Sequence, residues 1–290
     1  MMKQLIPAFT FGLLALLLPL SGFAQADEAF KIYDTRAQKT ISLEQLVSEV
    51  DQTDVLFFGE EHNDSIAHLL QDKLYTLLLD RYKTVALSLE MFETDCQQVL
   101  DEYLQGHITE SKLTNDARAW SNYPKAYSPL VETAKQRKQV VIAANAPRRY
   151  VNIVSRNGLS ALKKLPKSSR RYLPPMPIFT ADAPYEKRFR EIMGDTGHNL
   201  DINFFHAQCT WDATMAYRIY RHWRKNKKNL VFHLNGRFHT DYRHGTVAQL
   251  QRQKKKLKIK NISCFPVDDF DQPNWKAYSD IGDFVIISRK

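Results

Sequence analysis

Cysteine is scarce in this 290-residue chain: Cys96, Cys209 and Cys264 are the only three. That excludes a scaffold built on disulfides. Three thiols in an oxidising compartment leave at least one unpaired, and burial as small hydrophobes is expected for them. Glycine and proline number only 10 and 12, which excludes a collagen-like or low-complexity chain. No internal repeat is visible. Beyond residue 26 no apolar run is long enough to cross a bilayer. Acidic residues are in deficit, 32 against 41 Lys and Arg, for a formal charge of +9. What remains is ordinary globular composition, 43% hydrophobic and 25% charged, enough to build a core and to argue against disorder. The length predicts one large domain, or one domain with an excursion.

Residues 1–26 read as an address. Lys3 supplies a positive start, Leu5 to Leu20 an apolar stretch, and Ala24-Gln25-Ala26 a small-x-small cleavage pattern. A secretory signal peptide cut after Ala26 is expected, leaving 27–290 as an exported, single-domain protein. No cysteine lies near the junction, so no lipid anchor of the N-terminal-cysteine type is expected.

Strand and helix patterns then alternate. Apolar runs predict strands at Asp54–Phe58, Thr84–Leu89, Gln139–Ala144, Asn229–Leu234, Lys260–Val267 and Asp283–Ser288. Helical spacing marks Ser65–Tyr82, Thr94–Leu104 with Thr94 as N-cap, Pro129–Lys138 and Asp201–Arg224, and Pro147 can open another helix. This predicts an α/β fold, a largely parallel sheet flanked by helices. Between about 158 and 197 the pattern weakens around Pro166, Pro174, Pro175, Pro177 and Pro184, so an inserted, helical and Pro-rich excursion or lid is expected there.

In open α/β sheets, ligand sites lie at the carboxyl ends of strands. Four of the expected strands end in reactive residues: Gly59-Glu60-Glu61-His62, Glu90, Asn145 before Arg148-Arg149-Tyr150, and Gly236-Arg237-Phe238-His239. Glycine would let the chain turn sharply so that each histidine three residues on faces back over the sheet edge. His62, Glu90 and His239 form a donor set suited to a divalent metal with open positions. Glu60 or Glu61 could then act as general base on a metal-bound water. His68, inside a helix, and His206, His233 and His244 read as packing residues.

These motifs carry a resemblance. Phe57-Phe58-Gly59-Glu60-Glu61-His62-Asn63-Asp64, Leu87-Ser88-Leu89-Glu90-Met91-Phe92, Tyr127-Ser128-Pro129-Leu130-Val131, Ile142 to Arg148, Gln208-Cys209-Thr210-Trp211-Asp212 to Ala216, and Gly236 to His239 occur in order. The chain from about 54 to 245 resembles the ChaN family of bacterial haem-binding, iron-regulated proteins, related to Tiki-type metalloproteases and erythromycin esterases. The resemblance implies an exported protein of haem or iron uptake, a haem pocket between two subunits of a homodimer, tyrosine ligation of the iron, and His or Lys on the propionates. From the metalloprotease relatives it implies a metal site at His62, Glu90 and His239.

Haem needs an axial ligand, an apolar slot and cations for two propionates. Tyr127, Tyr150 and Tyr242 are the tyrosines expected near the rim, in that order of preference, and Arg148 and Arg149 the propionate partners. Two basic runs, Arg218–Lys228 and Arg252–Lys260, read as solvated faces with weak attraction to an anionic membrane surface. Few aromatics interleave with the second run, so no nucleic-acid partner is expected. A non-enzymatic haem-binding protein is therefore the first reading. A metal-dependent peptidase or esterase is the alternative.

Overall fold

The computed structural model describes residues 29–194 and 200–290. The expected signal peptide and the last three residues of the expected excursion lie outside them. Eight strands form one mixed sheet: β1 (Phe30–Asp34), β2 (Lys39–Ile41), β3 (Val55–Glu60), β4 (Val85–Glu93), β5 (Val141–Asn145), β6 (Leu230–Gly236), β7 (Ile259–Val267) and β8 (Phe284–Arg289). Their order is β2-β1-β8-β7-β3-β6-β4-β5. The six strands from β8 to β5 run parallel, while β1 and β2 add an antiparallel edge. The main helices are α1 (Leu43–Glu49), α2 (Ser65–Tyr82), α3 (Gln97–Leu104), α4 (Glu110–Asp116), α5 (Ser128–Gln136), α6 (Arg148–Asn157), α7 (Ala183–Ile192), α8 (Ile202–Lys225) and α9 (Gly245–Gln253).

The α/β expectation holds, and the burial pattern explains it. Every residue of β3 and of β6 is buried, as a parallel strand covered on both faces requires. Leu56 and Phe58 point to one side, where α1, α2, α3 and α5 supply Leu46, Leu74, Leu100 and Leu130. Val55 and Phe57 point to the other, against Ala216 and Ile219 of α8 and Val247 and Leu250 of α9.

Helix α2 starts where Asp64 accepts the Ile66 N–H at 2.9 Å and stops at left-handed Lys83. Thr94 does not cap a helix as expected. It sits in a 3-10 turn and donates its hydroxyl to the Tyr172 carbonyl at 2.8 Å, tying the strand end to the segment after Gly158. That segment packs Leu162, Leu173, Ile178, Tyr185 and Phe189 against α6 and α8 in a cluster of its own. No helix among the described residues is long and apolar enough to cross a membrane.

Candidate functional site

The two Gly-x-x-His motifs end neighbouring parallel strands. Gly59 pairs with Asn235 and Glu60 with Gly236, so the motifs stand side by side, offset by one residue. Neither glycine has the positive φ that a sharp left-handed turn would use. Their smallness serves close approach instead. A Cβ on Gly236 would lie 2.7 Å from the His62 Nε2, and one on Gly59 would lie 2.8 Å from the Arg237 Cα. Strand β4 shifts register between Leu89 and Glu93, and such a bulge re-aims side chains. Glu90, within it, accepts the Gly236 N–H at 2.7 Å and stands 3.6 Å from the His239 Nε2.

Each histidine rests on a buried carboxylate. At the first corner His62 Nδ1 is 2.8 Å from Glu60. Glu60 is 1% exposed and also accepts from the Gln71 amide and the Tyr127 hydroxyl, both at 2.5 Å, with the His68 Nε2 3.4 Å away. Burial opposes the charge on His62, but its hydrogen bond to Glu60 and the charges of Glu90 and Glu60 outweigh it and raise its pKa. At the second corner His239 Nδ1 is 2.7 Å from Asp212 of α8. Asp212 also accepts from the Tyr185 hydroxyl at 3.0 Å and the Thr246 hydroxyl at 2.9 Å. Burial pulls the His239 imidazole down, but Glu90 and Asp212 overcome it and push it up to about 9. Gly245 keeps this corner tight. It has a positive φ, and a Cβ there would lie 2.5 Å from the His239 carbonyl oxygen and 2.8 Å from Asp212.

Two concavities, about 680 and 470 Å³, share Phe189, Met193, Gln208 and His239 and so form one cleft along the rim. Trp120, Phe189, Phe204 and Trp211 give it aromatic walls, and Glu90, Asn145 and Arg148 add polar groups. Ile192, Met193 and Phe204 stay largely exposed at its edge.

Of the residues expected from sequence, Glu60, Glu61, His62, Glu90, Arg148 and His239 line the cleft, whereas Tyr127, Tyr150, Tyr242 and Arg149 line neither concavity. Arg148 keeps 73% of its side chain exposed, and its nearest carboxylate, Glu93, is 3.9 Å away. Arg149 is engaged: it binds Asp95 at 2.5 Å and donates to the Tyr150 hydroxyl at 3.1 Å. Tyr127 is fully buried, and burial together with the charge of Glu60 holds its hydroxyl proton far more firmly than usual. Tyr150 is buried under Arg149, whose guanidinium lies 4.4 Å from its ring centre. Tyr242 is 41% exposed, has a positive φ of 58°, and carries the Arg188 guanidinium 4.3 Å from its ring centre. Glu61 is half exposed and pairs with Arg237 at 3.3 Å.

His62, Glu90 and His239 face the same cleft, yet the described residues hold no group of three His, Cys, Asp or Glu side chains placed to share a metal ion. Glu60, expected as general base, is saturated by its partners. The cleft does fit a flat apolar ligand with acidic substituents: the walls are aromatic, and Arg148 is a largely exposed cation whose ion pair with Glu93 is long, at 3.9 Å.

Sequence reasoning missed Gln71, Tyr185, Gln208 and Asp212 as site residues. A signal for two of them existed. Gln208 and Asp212 recur at helical i, i+4 spacing on a buried face of α8, where polar side chains need partners.

A parallel α/β sheet whose strand ends carry an aromatic-walled cleft defines a ligand-binding protein of the open-sheet type. The chain belongs to the family described as haem-binding uptake, Tiki superfamily, ChaN, whose sequence model matches residues 46–250. Among curated proteins none matches the sequence. Among solved structures the chain is similar to ChaN of Campylobacter jejuni with cofacially bound haem, at 21% identity and a TM-score of 0.69, over 91% of this chain and 98% of that one. It is also similar to a mutant of the erythromycin esterase EreC in its open conformation, at 13% identity and a TM-score of 0.49, over 90% of this chain and 83% of that one. The type III effector HopBA1 gives 13% identity and a TM-score of 0.48, over 86% and 93%.

Proposed function

We propose that the protein binds haem in the strand-end cleft as part of haem or iron uptake, as an exported protein and as a homodimer. The observation that carries this is the cleft itself, with Trp120, Phe189, Phe204 and Trp211 as walls and Arg148 at its polar end. Each of its two concavities lies within the range of about 300–1,000 Å³ common for small-molecule sites. The family places haem among its ligands.

Arg148 would hold a propionate, because its guanidinium is exposed and its ion pair with Glu93, at 3.9 Å, is long. His62, supported by Glu60 and tending to carry a proton, is a second group able to donate to an acidic substituent. Tyr242 is the tyrosine we assign to the iron, ahead of Tyr127 and Tyr150. It lies beside the cleft, its exposed ring 4.3 Å from the guanidinium of Arg188, which lines it, whereas the other two hydroxyls are already engaged. The chemistry haem supplies when bound is that of its iron, and the chain positions, shields and charges its surroundings. The exposed Ile192, Met193 and Phe204 give the cleft an apolar edge that a second copy would cover. Within the described part of the excursion, Phe189 of α7 and Met193 form a wall of this cleft. The two basic runs suit weak contact with an anionic surface.

A haem titration followed by absorbance and sedimentation tests this. A saturable Soret shift with a monomer-to-dimer change is expected. Tyr242→Phe should move the Soret band, and Arg148→Ala should weaken binding about tenfold, the worth of one charge-assisted hydrogen bond. No saturable shift would overturn the reading.

A further inference from the structure

A second cavity, about 570 Å³, shares no lining residue with the rim cleft. Its charged lining is Lys163, Arg170, Arg171 and Arg221, and Leu173 and Met176 are among its apolar residues. The cations come from two distant parts of the chain. Three belong to 163–171, a stretch that also holds Lys164 and Lys167 and no acidic residue. The fourth, with Tyr217, belongs to α8.

No carboxylate lines this cavity, and none of the four cations makes an ion pair among the described residues. Arg171 reaches only a phenol, donating to Tyr172 at 2.6 Å, and Arg221 lies 5.8 Å from the Tyr217 ring centre. Arg218, one residue row away, is held below its usual range by burial and by the positive charge of Arg221, so the excess charge is felt inside the protein.

Four like charges around one concavity repel each other, and a bound anion relieves that repulsion. Three of the four are guanidinium groups, whose flat donor forks match phosphate oxygens. Leu162 and Leu173 are buried beside them and offer an apolar floor that a free inorganic ion would not use.

We propose that this cavity is a phosphate-binding site for a phosphate group carried on an apolar body. The cations take the phosphate, and Leu173 and Met176 meet the adjoining hydrocarbon. The site is independent of haem binding. A phosphorylated lipid headgroup and a soluble phosphoryl compound share this chemistry, and the experiment separates them.

The full chain is compared with Arg171→Glu/Arg221→Glu and with Lys112→Glu/Lys276→Glu, an equal charge change at exposed positions outside the cavity and outside both basic runs. Co-sedimentation is measured with phosphatidylcholine vesicles, with and without phosphatidylglycerol. Thermal stability is measured with and without pyrophosphate. At about 1 kcal/mol per cation near an anionic surface, the cavity pair should lose at least tenfold in phosphatidylglycerol binding, while the control pair stays within about threefold. Pyrophosphate should raise the melting temperature of wild type and control but not of the cavity pair. Loss on vesicles assigns a lipid source. A pyrophosphate effect without vesicle binding assigns a soluble phosphoryl ligand and supports the same site. Equal losses in both pairs, or no response of wild type to either probe, would overturn the proposal. Melting curves without ligand show whether the cavity pair is folded.

Discussion

The two Gly-x-x-His corners share a motif and differ in construction. The first holds His62 on Glu60 but leaves 41% of the side chain exposed to the cleft. The second encloses His239 between Asp212 and Glu90, with 10% of its side chain exposed. The same four-residue pattern therefore yields an imidazole available to a ligand and an imidazole that serves as a fixed internal cation. The difference comes from outside the motif. Gln71 and Tyr127 support the carboxylate under His62 from behind, whereas Asp212 reaches His239 from the far side of the sheet, on α8.

The largest effect expected from this contrast is on stability at the enclosed corner. His239→Ala leaves Asp212 and Glu90 buried with no imidazolium between them. Urea unfolding should show a loss of about 3–5 kcal/mol, the usual cost of breaking a buried ion pair from one side. A loss below about 1 kcal/mol would mean that the two corners are alike.

Next comes a pH effect six residues upstream. His233, inside β6, is buried with only the Ser88 hydroxyl on its Nδ1, and burial drives its pKa down to about 3. Its folded value lies below the unfolded one, so its contribution is intact above about pH 6.5 and is lost as pH falls from there towards 3. The difference in stability between wild type and His233→Gln should narrow across that window, by about 5 kcal/mol at most. A pH-independent difference would remove the contrast between the strand interior and the strand end.

A smaller effect is expected at the contact between the corners. Gly236→Ala puts a methyl where the His62 ring lies and should cost about 1–3 kcal/mol, as overpacking does. It should also weaken haem binding in the same direction as His62→Ala. The smallest effect belongs to His62→Ala itself, which should change stability by less than about 1 kcal/mol because the ring is partly exposed, while measurably lowering haem affinity. A large unfolding penalty there would show that the exposed imidazole is structural.

Much of the fold was legible because its signals are local. Helix α2 has the expected bounds, since Leu70, Leu74 and Leu78 recur on one face and Asp64 caps the start. The β1–β2 edge was not legible. Lys39–Ile41 is three residues long and polar, and β1 is fixed by pairing with β8 at the other end of the chain. Helix α9 hid behind Gly245, which opens it with a positive φ that local propensity does not favour. At the site, residues attached to strand ends could be read, because topology alone sends them to the rim. Their supports could not. Whether Tyr127 offers its hydroxyl to a ligand or spends it on Glu60 depends on packing between α2 and α5, and no spacing rule encodes that.

The register of β3 against β6 also bears on when the site comes into being. Glu61 and Arg237, joined across the rim, are 176 residues apart in the chain. Closing so long a loop precedes any reward from the contacts it permits, and contacts this distant in sequence slow folding. A chain shortened anywhere before β6 has no second histidine corner, and during synthesis the cleft stays unbuilt until that strand has emerged. Competence to hold a ligand is thus a late event in the life of each molecule, reached only when its two halves have met.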